Sequence, residues 1–258
     1  MNSARQSIGV SKAWKNTLSA FPRLGKRPLV IGVISSFADA SKVLKARTRP
    51  FDLVEWRLDL TGLGAGRWLE RCRALEQAGV RVLLTIRSAA EGGKWRGDEA
   101  ERLMLYQRGL EVVSLVDIEI NSRLLPGVVA VAHAAGKLVI GSFHDFSATP
   151  PRAELEEVIA RGWQSGADIV KLATRLNTAA DLRLLLGLLK RSTVQRSLCV
   201  IGMGAPEARL ALARAGSCLA YGFLGKSAAH GQLSCAELWR QLRNPTDERQ
   251  LRAKQEPA

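Results

Sequence analysis

From residue 29 onward the chain repeats one pattern: a short apolar run rich in β-formers, then a longer stretch with apolar residues at helical spacing. The strand candidates are Leu29–Ser35, Asp52–Leu60, Arg81–Arg87, Leu115–Asn121, Lys137–Phe146, Asp168–Arg175, Leu198–Gly204 and Leu219–Gly225. Between them, sets such as Trp68, Leu69, Cys72, Leu75 and Leu182, Leu185, Leu186, Leu189 share one face of a helix. Strands that are apolar on both faces need cover on both, and intervening helices provide it while making neighbouring strands parallel. Eight such units between residues 29 and 242 fit a closed α/β fold, the (β/α)8 TIM barrel, better than an open doubly wound sheet. No GxGxxG or GxxxxGK[ST] follows any of the runs, which disfavours a dinucleotide or P-loop fold. Gly79 and Gly166, just ahead of the third and sixth runs, stand where a helix C′ glycine belongs.

Charge and cysteine usage narrow the partners. Residues 1–38 hold no aspartate or glutamate but carry Arg5, Lys12, Lys15, Arg23, Lys26 and Arg27. Those six account for six of the fourteen net positive charges, leaving 32 basic against 24 acidic residues in the body. A nucleic-acid partner is not expected, because no RNP, zinc-finger or Gly-rich basic segment organises the excess. No apolar run reaches the roughly 18 residues of a membrane span, and no sustained apolar region follows the positive start as in a secretory signal. Cys72, Cys199, Cys218 and Cys235 show no CxxC spacing. That argues against a zinc cage or a disulfide framework and fits a reducing cytoplasm. Residues 1–28 are expected to form a basic, flexible extension, 29–242 a single barrel domain and 243–258 a polar tail.

A barrel builds its active site at the carboxyl ends of its strands, so the polar residues there are the informative ones. The second run places Glu55, Arg57 and Asp59 at period two on one face, with Val54, Trp56, Leu58 and Leu60 turned to the helix layer. The third ends at Arg87 and leads into Glu91-Gly-Gly93, the fourth carries Asp117 and Glu119 on one face, and the fifth ends Ser142-Phe-His144-Asp-Phe146. The sixth, Asp168-Ile-Val-Lys171-Leu-Ala-Thr174, sets Lys171 beside Ile169 and Ala173 on an apolar face. Burial disfavours an ammonium there and favours the free amine, which attacks ketones to form Schiff bases. His144 supplies a base expected to titrate near neutrality. Arg57, Arg87 and Arg209 could hold a carboxylate or hydroxyls. No His/Cys/Asp cluster has metal-ligand spacing, so a reaction without metal or cofactor is expected. Five consecutive strands delivering charges to one end point to a polar ligand rather than to five separate solvated residues.

Together the segments Glu55-Trp-Arg-Leu-Asp59, Thr-Ile-Arg87, Glu91-Gly-Gly93, Asp117-Ile-Glu119, Ser-Phe-His144-Asp-Phe and Val-Lys171-Leu-Ala resemble type I 3-dehydroquinate dehydratase. The similarity runs from about residue 29 to 242 in the family's order. It implies a barrel that dehydrates 3-dehydroquinate to 3-dehydroshikimate in the shikimate pathway of aromatic amino acid biosynthesis. On that resemblance Lys171 forms the Schiff base, His144 moves the protons and Glu91 orients the histidine. Glu55, Arg57 and Arg87 contact ring hydroxyls, Arg209 binds the carboxylate, and Asp59, Asp117 and Glu119 support the site. Dimers are common in the family, although nothing in this sequence marks an interface.

The departures follow the seventh run. The chain is about two residues shorter than usual between Gly204 and Arg209. Where the family's closing loop reads Ser-Ala-Pro-Gly-Gln, this chain has Ala228-Ala-His230-Gly-Gln232. Gln232 is retained as a substrate-binding residue, whereas Ala228 and His230 replace a serine and a proline. His230 reads as a solvated loop residue and His133 as structural. Two other readings use the same residues. Another Schiff-base barrel, such as a class I aldolase, would use Lys171 on a related keto-polyol. A non-catalytic barrel would use the basic extension to bind an acidic partner.

Overall fold

The computed structural model describes residues 27–190, 197–225 and 232–243. Among the described residues, eight strands alternate with eight principal helices in the order expected. The strands are β1 Leu29–Ile34, β2 Leu53–Arg57, β3 Val82–Thr85, β4 Leu115–Glu119, β5 Leu138–Asp145, β6 Ile169–Arg175, β7 Ser197–Met203 and β8 Leu219–Phe223. The helices are α1 Phe37–Lys45, α2 Arg67–Gln77, α3 Glu99–Leu110, α4 Leu125–Ala134, α5 Arg152–Gln164, α6 Ala179–Leu189, α7 Pro206–Arg214 and α8 Cys235–Arg243. A single helical turn, Leu58–Thr61, and two 3-10 turns, Gly64–Gly66 and Ala89–Glu91, interrupt the early loops.

β1 to β7 pair in sequence order and β8 pairs with β1, all in parallel. The seam between β7 and β8 is bridged by Cys218 N–H donating to the Leu198 carbonyl at 3.0 Å. Val200 N–H donates to Ser217 Oγ across the same seam at 2.9 Å. The result is the (β/α)8 barrel, a single closed sheet wrapped by helices.

Alternation along each strand sorts the core into layers. Leu29, Ile31, Leu53, Leu83, Leu115, Ile140, Ile169, Cys199 and Leu219 fill the barrel interior. Val54, Trp56, Leu84, Val116 and Val139 face α1 to α4 outside it. On β6, Ile169 and Ala173 point inward while Val170 and Leu172 meet the α5 and α6 side chains. Cys199 and Cys218 are buried core residues, as expected. Gly79 and Gly166 adopt φ of +74° and +88° just past the ends of α2 and α5, the left-handed cap that glycine adopts without strain.

One element differs from its sequence reading. β2 was expected to run to Leu60, but it stops at Arg57, and the next residues form the Leu58–Thr61 turn. A helical turn rotates successive side chains by about 100° instead of the 180° of a strand. Asp59 therefore does not stand in line with Glu55 and Arg57, and Leu60 lines the central cavity rather than facing the helix layer. The extension read over residues 1–28 lies outside the described residues except for Arg27 and Pro28, as does the tail over 243–258 except for Arg243. Ala228 and His230 of the closing loop also lie outside them. No described helix is long and apolar enough to cross a membrane.

Candidate active site

A cavity of about 480 Å³ opens at the carboxyl ends of the strands. Glu55, Arg57, Arg87, Glu91, His144, Lys171, Arg209 and Gln232 all line it. Asp59, Asp117 and Glu119 sit behind this wall. All eleven residues singled out from the sequence therefore gather at one end of the barrel, eight in the cavity wall and three behind it.

The floor of the cavity is an alternating chain of buried charges. Lys171 Nζ donates to Asp117 Oδ2 at 2.9 Å. Asp117 Oδ1 accepts from Arg87 Nη2 and from Ser142 Oγ, each at 2.6 Å. Arg87 Nη1 donates to Ser142 Oγ at 2.7 Å and to Glu119 Oε1 at 3.0 Å. Glu119 is gripped from behind by Arg102, which α3 carries, and also accepts the Ser88 backbone N–H at 2.9 Å. The side chains of Arg87, Asp117, Glu119, Arg102 and Lys171 are each 5% exposed or less. In that setting an unpaired member would cost several kcal/mol, which explains why the charges alternate. Burial alone would raise the Asp117 carboxyl, but Arg87 and Lys171 hold it well below the usual carboxylate range. Glu119 is likewise held low, by Arg87 and Arg102 against its own burial. Lys171 thus has a counter-charge, which its apolar strand neighbours did not reveal.

Above the floor, His144 and Glu91 form a pair. Glu91 Oε2 lies 2.9 Å from His144 Nδ1 and accepts the His144 backbone N–H at 3.0 Å. The oxygen is thus an acceptor, which makes Nδ1–H the donor and leaves Nε2 free to take a proton; this tautomer is assigned from the hydrogen bonds. Burial drives both partners toward their neutral forms. Glu91 is raised to about 7, chiefly by burial. His144 is pushed well below its ordinary value by burial and by the charges of Arg87 and Lys171. The expectation of a histidine titrating near neutrality is therefore corrected: burial first, and then the two cations, favour the unprotonated imidazole.

The cavity walls carry further charged side chains. Glu55 accepts from Thr85 Oγ1 at 2.7 Å. Arg57 makes two bonds to Asp59, at 2.9 and 2.8 Å, and Asp59 also accepts the Lys94 backbone N–H at 3.1 Å. Asp59 is thereby the post that holds Arg57 and the Gly93 loop. Arg87 lines the cavity, but both its terminal nitrogens are committed to the floor. Arg209 differs: its Nε is buried with no partner among the described residues, and burial lowers the guanidinium. A guanidinium with no counter-charge among the described residues, facing a cavity, is what an anionic ligand would complete.

Four contributors had no role in the sequence reading. Ser142 bridges Arg87 and Asp117, and its place two residues before His144 on the same strand face was a usable signal. Arg102 and Tyr106 share the buried face of α3 with Leu105 and Gly109 at helical spacing. Tyr106 Oη donates to the Asp117 carbonyl at 2.7 Å. Tyr221 lies under Lys171. His133, read as structural, meets Asp168 at 3.1 Å on the outer layer. Among the described residues no group of three His, Cys, Asp or Glu is placed to hold a metal ion.

A closed eight-stranded α/β barrel with its polar groups converging on one cavity at the strand carboxyl ends defines an enzyme of the (β/α)8 class. The family is more specific. The Type I 3-dehydroquinase family model matches residues 30–247. The 3-dehydroquinate dehydratase of Methanosarcina barkeri is 35% identical over 231 residues, 83% of this chain and 93% of that protein. The crystal structure of the Geobacillus kaustophilus 3-dehydroquinate dehydratase superposes with a TM-score of 0.76 at 26% identity, over 86% of this chain and 92% of that one. A type I enzyme from Clostridium difficile, solved with covalently modified comenic acid, matches with the same TM-score and identity, over 86% and 94%. The chain belongs to the type I 3-dehydroquinase family.

Proposed function

We propose that this protein is a carbon–oxygen lyase that dehydrates 3-dehydroquinate to 3-dehydroshikimate, the shikimate-pathway step, through a Schiff base on Lys171. The observation that carries the reading is that Lys171, the His144–Glu91 pair and Arg209, whose Nε has no partner among the described residues, open on one cavity of about 480 Å³. That volume lies within the range of small-molecule sites. The relative with covalently modified comenic acid supports a site that reacts covalently.

Arg209 takes the substrate carboxylate by charge-assisted bonds, which swings the ketone toward Lys171. The amine, after giving up a proton, adds to the carbonyl carbon, and loss of water leaves an iminium. His144 serves this exchange as acid and base. The iminium acidifies the neighbouring C–H, and His144 Nε2 removes that proton, leaving an enamine. The imidazolium then protonates the departing hydroxyl as the carbon–oxygen bond breaks. Water hydrolyses the product iminium and returns the ammonium to Asp117. Each proton taken is given back, so no cofactor or metal is required. Glu55 and Arg57 contact the ring hydroxyls, Gln232 closes over them, and Asp59, Arg87, Asp117 and Glu119 hold the arrangement. The buried free cysteines suit a cytoplasmic setting.

The test is to incubate the protein with 3-dehydroquinate and borohydride, locate the added mass by peptide mapping, and follow enone absorbance without reductant. An adduct on Lys171 with rising absorbance is expected. Lys171→Ala should lose both signals, while His144→Ala should still trap an adduct and turn over about 10²–10⁴-fold more slowly. An adduct without enone would indicate an aldolase-like Schiff-base reaction instead. Neither signal from folded protein would favour the non-catalytic reading.

A further inference from the structure

Tyr221, in the middle of β8, is a cavity residue whose chemistry the reaction above leaves unused. Lys171 Nζ lies 4.4 Å from the centroid of its ring, so the amine is held between an aromatic face on one side and Asp117 on another. The β1–β8 ladder pairs Tyr221 with Ile31, and the ring is buried to 7% exposure while still lining the cavity. Its hydroxyl is buried with no hydrogen-bond partner among the described residues. Leaving a phenol unpaired is unfavourable, and a ligand filling the cavity would pair it. Burial, then the neighbouring Glu55 carboxylate, push the phenol well above its ordinary range, so it stays a neutral donor.

The reaction changes what Lys171 asks of its surroundings. An ammonium offers three N–H donors, whereas the iminium of a ketone offers one, although both carry a positive charge. Hydrogen bonding to Nζ therefore weakens as the adduct forms. Attraction to a ring face depends on the charge, survives the change and strengthens as competing hydrogen bonds to the cation are lost, so the ring favours the iminium over the ammonium.

We propose that Tyr221 is a further catalytic residue: its ring face holds the cationic Nζ through ammonium and iminium, and its hydroxyl donates to an oxygen of the bound polyhydroxy keto acid. The role rests on the Schiff-base reading above.

Three variants separate its parts, each checked for folding by circular dichroism and compared in KM and in the rate of borohydride trapping on Lys171. Tyr221→Phe keeps the ring and is expected to raise KM about two- to tenfold with trapping near the wild-type rate. Tyr221→Leu removes the ring face and should slow trapping about two- to thirtyfold. Pentafluorophenylalanine at position 221 keeps the shape and reverses the ring quadrupole, so it should slow trapping even if the leucine variant does not fold. Wild-type KM in Tyr221→Phe overturns the hydroxyl's role, and wild-type trapping in the fluorinated protein overturns the ring's. Wild-type protein that traps nothing overturns the Schiff-base reading itself, a result independent of the variants.

Discussion

Asp117→Asn tests the buried charge chain most directly, because it removes one charge and almost no volume. The carboxylate has no exposed surface and binds Arg87 at 2.6 Å and Lys171 at 2.9 Å. With asparagine, Arg87 and Lys171 would lose this shared partner; Arg87 would keep only Glu119, which Arg102 also holds, while Arg102 retains the half-exposed Glu99 as well. Removing one partner from a buried pair costs about 3–5 kcal/mol, since the orphaned charge cannot return to water. For a chain of this size that corresponds to about 6–20 °C in melting temperature. The pH dependence has a definite sign. The folded carboxyl lies below its unfolded value, so its contribution is complete above about pH 4 and is lost only as the pH falls through the folded value. The gap between wild type and variant should therefore be flat from about pH 5 to 8 and shrink in stronger acid. Urea unfolding followed by tryptophan fluorescence across that range measures it. A loss below about 1 kcal/mol at pH 7 would refute the claim that this carboxylate neutralises the floor.

Other perturbations separate recognition, proton transfer and backbone geometry. Glu91 is raised to about 7 by burial, and its ionised form is the stronger acceptor from Nδ1 and the better support for a base at Nε2. Activity should therefore rise with pH through about 7, and Glu91→Gln should abolish that limb of the kcat/KM profile. The same shift acts on stability in the opposite sense: protonated Glu91 suits the fold, and this contribution is lost as pH rises through about 7. Arg209→Met should raise KM about ten- to a hundredfold, the loss of a charged hydrogen bond. It should leave thermal stability equal or higher, because it removes a partly buried cation with no counter-charge among the described residues; a lower melting temperature would contradict this. Gly93→Ala would set a Cβ 2.0 Å from the Arg87 carbonyl, so the loop must move. Calorimetry should show a loss of about 1–3 kcal/mol, accompanied by lower activity.

Much of the architecture was legible in the chain because it is encoded locally. Period-two alternation assigns Ile169, Lys171 and Ala173 to one face of β6 from near neighbours alone. Repetition of strand and helix patterns then leaves few topologies besides a parallel barrel. The same logic brought Glu55, Arg57, Arg87, His144 and Lys171 to one end, since strand carboxyl termini converge in a closed sheet. Periodicity misled at Asp59 and Leu60, where a single helical turn replaced the last strand residues.

What only the tertiary structure decided is how the charges share one another. Asp117 reaches Lys171 across 54 positions, Glu91 reaches His144 across 53, and Ser142 joins Arg87 across 55. These contacts depend on strand register and on the loop that folds Glu91 back over the barrel mouth, neither of which local patterning records. The titration of His144 belongs to that level as well. A sequence shows an imidazole beside other charges, but its protonation depends on how deeply it is buried and which cations face it. Alternation of side chains is a short-range property of the backbone, whereas electrostatics is a long-range property of the closed barrel.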